Sequence, residues 1–253
     1  MKSLFTRNRL RRAGFTVAAG LLASQPLHAG TPRRVVLVHG IWDTFHTMRK
    51  IERSLREAGF DPIVVALTPN NGERPLDVLA EQVNRQIKKR IPHDARFSII
   101  GFSMGGLVAR SYMRQFGDPQ RIATFISISS PHHGTWLAWL ENNPGVRDMR
   151  PGSAFLTAID ADAARFSSTR WVTIRTPLDL IILPSTSSLL TWAKNYTIPV
   201  LAHPLMVIDG RVIDCIIRSL DAAPLSTKSA RETQASPHAE SPRPRSQYIP
   251  QHR

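Results

Sequence analysis

Three side chains far apart in the sequence have the types and the order that nucleophilic catalysis needs: Ser103, Asp179 and His203. Ser103 lies in Gly101–Phe102–Ser103–Met104–Gly105, a G-x-S-x-G pattern that carries information only in the right structural setting. That setting is legible. Phe97–Ser98–Ile99–Ile100 reads as a strand directly before the pattern, and Met104 onward reads as a helix directly after it. A serine on such a turn takes a strained backbone and presents its hydroxyl above the sheet edge. Glycines at 101, 105 and 106 let strand and helix approach that closely. The helix behind the serine aims its N-terminal amides at the place where an oxyanion would form. The plainer alternative is a helix-capping serine beside packing glycines.

A serine hydroxyl needs a base to take its proton, and the base needs an acid to orient it. On a parallel sheet both come from loops at the carboxyl ends of later strands, acid before histidine. Asp179 follows the strand Trp171–Arg175 and is the one acid between Asp162 and Asp209. His203 follows Ile198–Pro199–Val200–Leu201 and is the one histidine between His133 and His238. A turn-forming aspartate and a loop histidine are the competing readings of those two. For the oxyanion, one amide is expected from Met104 and a second from Ile41, where Gly40 lets the backbone turn inward. His39 reads as a residue that ties this loop down. Trp42, His132 and Trp136 are candidates to line an acyl pocket, with core packing as the alternative for each. His132 and His133 lack an apparent third ligand, so no metal site is expected.

The elements that must hold these residues alternate. Strands are expected at Arg33–Val38, Pro62–Leu67, Arg96–Ile100, Ile122–Ile128, Trp171–Arg175 and Ile198–Leu201. Helices are expected at Thr47–Ala58, Leu76–Ile91, Met104–Gln115 and Leu205–Leu220. Short apolar strands separated by helices imply an α/β fold with a mostly parallel sheet of about six strands, covered on both faces.

The ends differ from this body. Met1–Arg12 is basic, Ala13–Ala23 is uncharged and mostly apolar, and small residues follow up to Ala29, so residues 1–29 read as an export signal. The protein is therefore expected in a periplasmic or secreted location. Residues 222–253 are Ala, Pro, Ser, Thr and charge without an apolar face, and read as a disordered tail. The remaining domain covers 30–221. Of the net charge of +14, the first thirty residues carry +5 and residues 221–253 carry +2, leaving +7 on the body. That is a mildly basic surface with no run longer than Lys88–Lys89–Arg90, which points away from nucleic acid and only weakly toward anionic membranes. The single cysteine, Cys215, excludes an internal disulfide framework.

Val38–His39–Gly40–Ile41, Gly101–Phe102–Ser103–Met104–Gly105–Gly106, Ser130–Pro131–His132–His133–Gly134–Thr135, Asp179 and His203 together resemble the small bacterial lipases and esterases of the α/β-hydrolase superfamily. The resemblance implies a minimal or short cap and hydrolysis of carboxylic esters, those of acyl lipids, without a cofactor. It also implies Ser103 as nucleophile, His203 as base, Asp179 as its partner and the Ile41 and Met104 amides as oxyanion hole. Acyl transfer, thioester cleavage or phospholipid deacylation on the same three residues remain open, as does a non-catalytic binding role. The substrate partner would be an acyl ester or lipid, with transient contact to a lipid surface. Two departures stand out. His203 precedes Pro204, and Asp43 puts a carboxylate beside the oxyanion loop, where it is expected to face solvent.

Overall fold

The computed structural model describes residues 33–222. The expected export signal over 1–29 and nearly all of the expected tail over 222–253 lie outside the described residues. In chain order the elements are β1 (Arg34–Val38), α1 (Arg49–Glu57), β2 (Asp61–Val65), α2 (Leu76–Arg90), β3 (Phe97–Phe102) and α3 (Met104–Phe116). They continue with β4 (Ile122–Ile128), α4 (Pro144–Asp148), α5 (Ala154–Ala161), β5 (Arg170–Arg175), β6 (Lys194–Thr197) and α6 (Gly210–Asp221). All six strands pair in parallel in the order β2-β1-β3-β4-β5-β6.

The strands alternate their apolar residues between two cores because successive side chains point to opposite faces. Val36, Val38, Ile99 and Phe125 pack with residues of α2, α3 and α5 on one side. Val35, Leu37, Ile100, Ile126 and Ile174 pack with α1 and α6 on the other. The strand order reverses between β1 and β3, so the loops after these two neighbours leave toward opposite faces and open a crevice at the carboxyl edge.

Two expected elements shift. The sixth strand is not Ile198–Leu201 but the four residues before it. Lys194–Thr197 pairs with β5, and Asn195 accepts from Thr173 Oγ1 at 2.6 Å. An edge strand tolerates polar residues, whereas Pro199 has no N–H to donate. Ile198 adds one more bond to the Arg175 carbonyl at 2.9 Å before the chain turns away. The last helix starts at Gly210 rather than Leu205, because Asp209 caps it by accepting from the Arg211 amide at 2.9 Å. His203–Val207 forms a separate 3-10 turn instead.

Candidate active site

Ser103 occupies the step between β3 and α3 with φ 54° and ψ −127°, a left-handed conformation that side chains rarely adopt. Its amide is held by the Ile128 carbonyl of β4 at 2.8 Å. The glycines nearby are needed for contact, not for loop freedom. A Cβ at Gly105 would run into the carbonyls of Val38 and His39, and one at Gly101 into the backbone of Gly106. Met104 is the first residue of α3, so its N–H has no partner within the helix.

The loop after β1 passes directly beside this turn. A Cβ on Gly40 would lie 3.0 Å from Ser103 Cβ and 2.7 Å from an Asp43 carboxylate oxygen, so only glycine fits there. His39 is buried and fixed at both nitrogens. The Leu67 amide donates to Nε2 at 3.1 Å, which leaves the proton on Nδ1 to donate to the Gly40 carbonyl at 2.9 Å. Burial lowers the His39 pKa, against the opposing pull of the Gly40 carbonyl and the Asp43 charge, and keeps the ring neutral. Trp42 takes φ 54° and donates its amide to the Asn70 carbonyl at 2.8 Å. Asn70 in turn holds the Asp43 carbonyl through its side-chain amide.

Asp43 does not face solvent as expected. Its carboxylate folds back onto its own loop, accepting from the Gly40 amide at 3.2 Å and the Thr47 hydroxyl at 3.1 Å. A short acidic side chain next to free loop amides satisfies them before it reaches water.

Asp179 and His203, 24 residues apart in sequence, meet at 2.8 Å between Oδ2 and Nδ1, both buried. Asp179 Oδ1 accepts from the amides of Ile181 at 3.0 Å and Ile182 at 2.9 Å. Burial alone would raise the Asp179 pKa. The hydrogen bond and charge of His203, with the two amides, outweigh it and hold the carboxyl below the ordinary carboxylate range. The His203 ring packs on Phe102, the residue before Ser103, with centroids 4.9 Å apart. That contact sets the ring beside the serine turn.

The spacing of the Asp179 and His203 loops is set by a residue that sequence reasoning missed. Thr176 is fully buried, donates its hydroxyl to the Val200 carbonyl at 2.6 Å, and accepts from the Val200 amide at 3.1 Å and the Leu178 amide at 3.2 Å. One side chain thus staples the two loops together. Its only sequence signal is a threonine directly after an apolar strand, which is common.

The expected pocket residues separate. Trp42 and Trp136 are exposed at the carboxyl edge. His132 is not at the surface of the site. It is buried against β4, with Arg110 Nη1 donating to its Nδ1 at 3.4 Å and its Nε2 2.8 Å from the Ser127 hydroxyl. Burial and the Arg110 charge push its pKa well below the usual histidine value. Arg110 is anchored in turn by Asp160 at 2.5 Å and the Ile159 carbonyl at 3.1 Å. A histidine enclosed in this way positions the loop after β4 and cannot touch a substrate without repacking.

Comparison with known proteins agrees with the architecture. Structures of Aspergillus fumigatus lipase B (TM-score 0.66, 18% identity, 76% of this chain and 53% of that one) and Bacillus licheniformis lipase BlEst2 in mature form (TM-score 0.59, 15% identity, 76% and 93%) share the fold. Residues 34–138 match the model of the family described as palmitoyl protein thioesterase. The chain has the fold of these α/β-hydrolase lipases. Human lysosomal thioesterase PPT2 is 30% identical over 129 residues, 47% of this chain and 42% of that protein. A Pseudomonas fragi triacylglycerol lipase is 33% identical over 112 residues, 41% and 36%. The chain spans less than half the length of these curated relatives, and the family match includes Ser103 but ends before Asp179 and His203. Among the described residues no helix is long and apolar enough to cross a membrane.

Proposed function

We propose that this α/β-hydrolase cleaves acyl-lipid esters through an acyl-enzyme on Ser103. The observation that carries the reading is the buried Asp179–His203 hydrogen bond of 2.8 Å whose histidine ring packs on the residue preceding the strained serine. Because Nδ1 donates to Asp179, the neutral ring keeps a lone pair on Nε2. In the proposed cycle that lone pair takes the Ser103 proton as Oγ attacks the ester carbonyl, and Asp179 stabilises the resulting imidazolium. The Ile41 and Met104 amides hold the oxyanion. The imidazolium then protonates the departing alcohol, and a water activated by the same nitrogen releases the acid. Trp42 and Trp136 are proposed to guide the acyl chain from the carboxyl edge.

A thioester substrate is the second reading, favoured by the family match over 34–138. The same residues serve both, since a thiolate needs less help to leave than an alkoxide. The test is hydrolysis of p-nitrophenyl esters from C2 to C16 beside acyl thioesters of the same lengths, with Ser103→Ala as control. Activity on either set that survives the substitution would refute the serine mechanism. We further propose that residues 1–29 direct export, supported by their basic, apolar and small-residue segments. N-terminal sequencing of the mature protein checks it, and an intact Met1 on the exported form would overturn cleavage.

A further inference from the structure

The loop that carries Ile41 is held by residues outside the serine turn and the Asp179–His203 pair. The Gly40–Ile41 peptide is trans, so the Gly40 carbonyl and the Ile41 N–H point in opposite directions. His39 Nδ1 donates to that carbonyl at 2.9 Å, which turns the Ile41 N–H away from the His39 ring. The next peptide is fixed as well, because Trp42 gives its amide to the Asn70 carbonyl at 2.8 Å. Asn70 also donates its side-chain amide to the Asp43 carbonyl. One residue therefore grips the chain on both sides of the strained φ of 54° at Trp42. Relaxing that angle would swing Ile41 relative to Asp43, and its N–H would move with it.

Asn70 is itself held from a distance. It ends the segment 66–70 after β2, which α2 grips with two glutamines one turn apart. Gln86 accepts from the Ala66 amide at 3.3 Å and donates to the Ala66 carbonyl at 2.8 Å. Gln82 accepts from the Thr68 amide at 2.9 Å and donates to the Thr68 carbonyl at 2.6 Å. A carboxamide has a donor end and an acceptor end, so each glutamine satisfies one residue's backbone as a neighbouring strand would. Between these two clamps the Leu67 amide donates to His39 Nε2 at 3.1 Å. Ala66 and Thr68 are exposed and both glutamines are half-buried. Apolar packing therefore does not account for the two clamps, whereas fixing the position of Asn70 does.

We propose that Asn70 is a positioning residue for the oxyanion amide of Ile41, and that Gln82 and Gln86 link this role to α2. The inference deepens the proposed cycle and rests on its reading of Ile41 as an oxyanion donor. Such a donor helps only if it is aimed before the charge develops. The brace adds no contact to the bound ester, so its loss should appear in kcat and not in KM.

The test compares the parent with Asn70→Ala and Gln82→Ala. Each is assayed for kcat and KM on p-nitrophenyl butyrate. Each is also assayed for inhibition by an alkyl trifluoromethyl ketone, whose adduct with Ser103 would carry the same oxyanion. Asn70→Ala keeps the carbonyl that holds Trp42 and removes the bond to Asp43. Its kcat should fall about tenfold, a fraction of the roughly 10²–10³ lost when an oxyanion donor is deleted. KM should stay within about twofold, and the inhibition constant should rise by the factor by which kcat/KM falls. Gln82→Ala, which alters α2 and no residue of the proposed cycle, should lower kcat in the same way by about threefold. A parental kcat in Asn70→Ala, from an active parent, would overturn the inference. So would a loss confined to KM, or an inhibition constant that does not change. If a thermal melt shows Asn70→Ala unfolded, Gln82→Ala decides, and a parental kcat there overturns the brace. A parent without Ser103-dependent hydrolysis of esters or thioesters would refute the catalytic reading, and the role of Asn70 with it.

Discussion

Replacing Asp179 by asparagine changes one atom and tests the whole catalytic arrangement. In the native protein Oδ2 accepts the His203 Nδ1 proton at 2.8 Å while Oδ1 accepts two amides. Asparagine has one acceptor and one donor group for these two jobs. If its oxygen stays on the Ile181 and Ile182 amides, its NH2 faces His203 Nδ1, and the ring must move its proton to Nε2 to avoid donor against donor. That tautomer has no lone pair on Nε2 for the Ser103 proton. If the amide flips instead, two buried backbone N–H groups lose their acceptor at about 1–3 kcal/mol each, which disfavours the flip. The wrong tautomer therefore dominates, and kcat/KM should fall by about four decades, as orienting-acid losses do in other serine hydrolases. Stability should fall far less, by about 1.5–3 kcal/mol for one charge-assisted hydrogen bond. The assay is steady-state hydrolysis of p-nitrophenyl butyrate beside a thermal melt. A folded variant that keeps a tenth of the parental rate would refute the assignment of Asp179.

Ser103→Ala should lose three or more decades of turnover yet stay folded. Ser103→Gly should be equally inactive but more stable than the alanine variant by about 1 kcal/mol, since glycine relieves the left-handed backbone; equal urea midpoints for the two would contradict the strain at φ 54°. Thr176→Val should cost about 1–3 kcal/mol through the unpaired Val200 carbonyl and Leu178 amide and should also slow ester hydrolysis at saturating substrate, whereas Thr176→Ser should restore both. Unchanged kcat in the valine variant would show that the two loops do not depend on this staple. Below neutral pH the fold should weaken because His132 and His39 are held neutral while the unfolded chain takes up protons near pH 6.5. The stability they contribute is present above that value and is lost as pH falls, with a slope of up to about 1.4 kcal/mol per pH unit for each ring. Urea midpoints measured from pH 7.5 down to 5.5 should decline, and a flat profile would refute the neutral assignment.

The sequence made Ser103 legible because its evidence is local: glycines at fixed offsets, a strand before and a helix after. Periodicity likewise located five of six strands within one or two residues, since β1 to β5 are buried apolar runs. It failed at β6, where Lys194–Thr197 has no apolar pattern and is a strand only because β5 offers it an open edge. Asp43 and Thr176 were misread or missed for a related reason. Their partners are backbone groups whose positions follow from the fold, and no residue pattern in the chain encodes which amide a carboxylate or hydroxyl will reach. His132 shows the same limit from the other side. Its type suggests chemistry, while its burial between Arg110 and Ser127 depends on α3 crossing β4.

Backbone strain in the described residues has a location that follows from how the site is built. Trp42, Ser103 and Ser129 are the non-glycine residues with positive φ among them, at 54°, 54° and 45°. Each lies at or just past the carboxyl end of one of three adjacent strands, β1, β3 and β4. Each such conformation costs about 1–3 kcal/mol and persists only where the surroundings enforce it. Here the enforcement is visible in their own amides: Trp42 donates to the Asn70 carbonyl, Ser103 to Ile128 and Ser129 to Ile174, all at 2.8 Å. For Ser103 and Ser129 the restraint is the parallel ladder continued by one residue beyond the strand, so the sheet that buries the core also holds the serine in its raised position. If Ser103 is the nucleophile proposed above, the sheet ladder sets it before substrate arrives. The raised conformation of Ser103 therefore belongs to the resting fold.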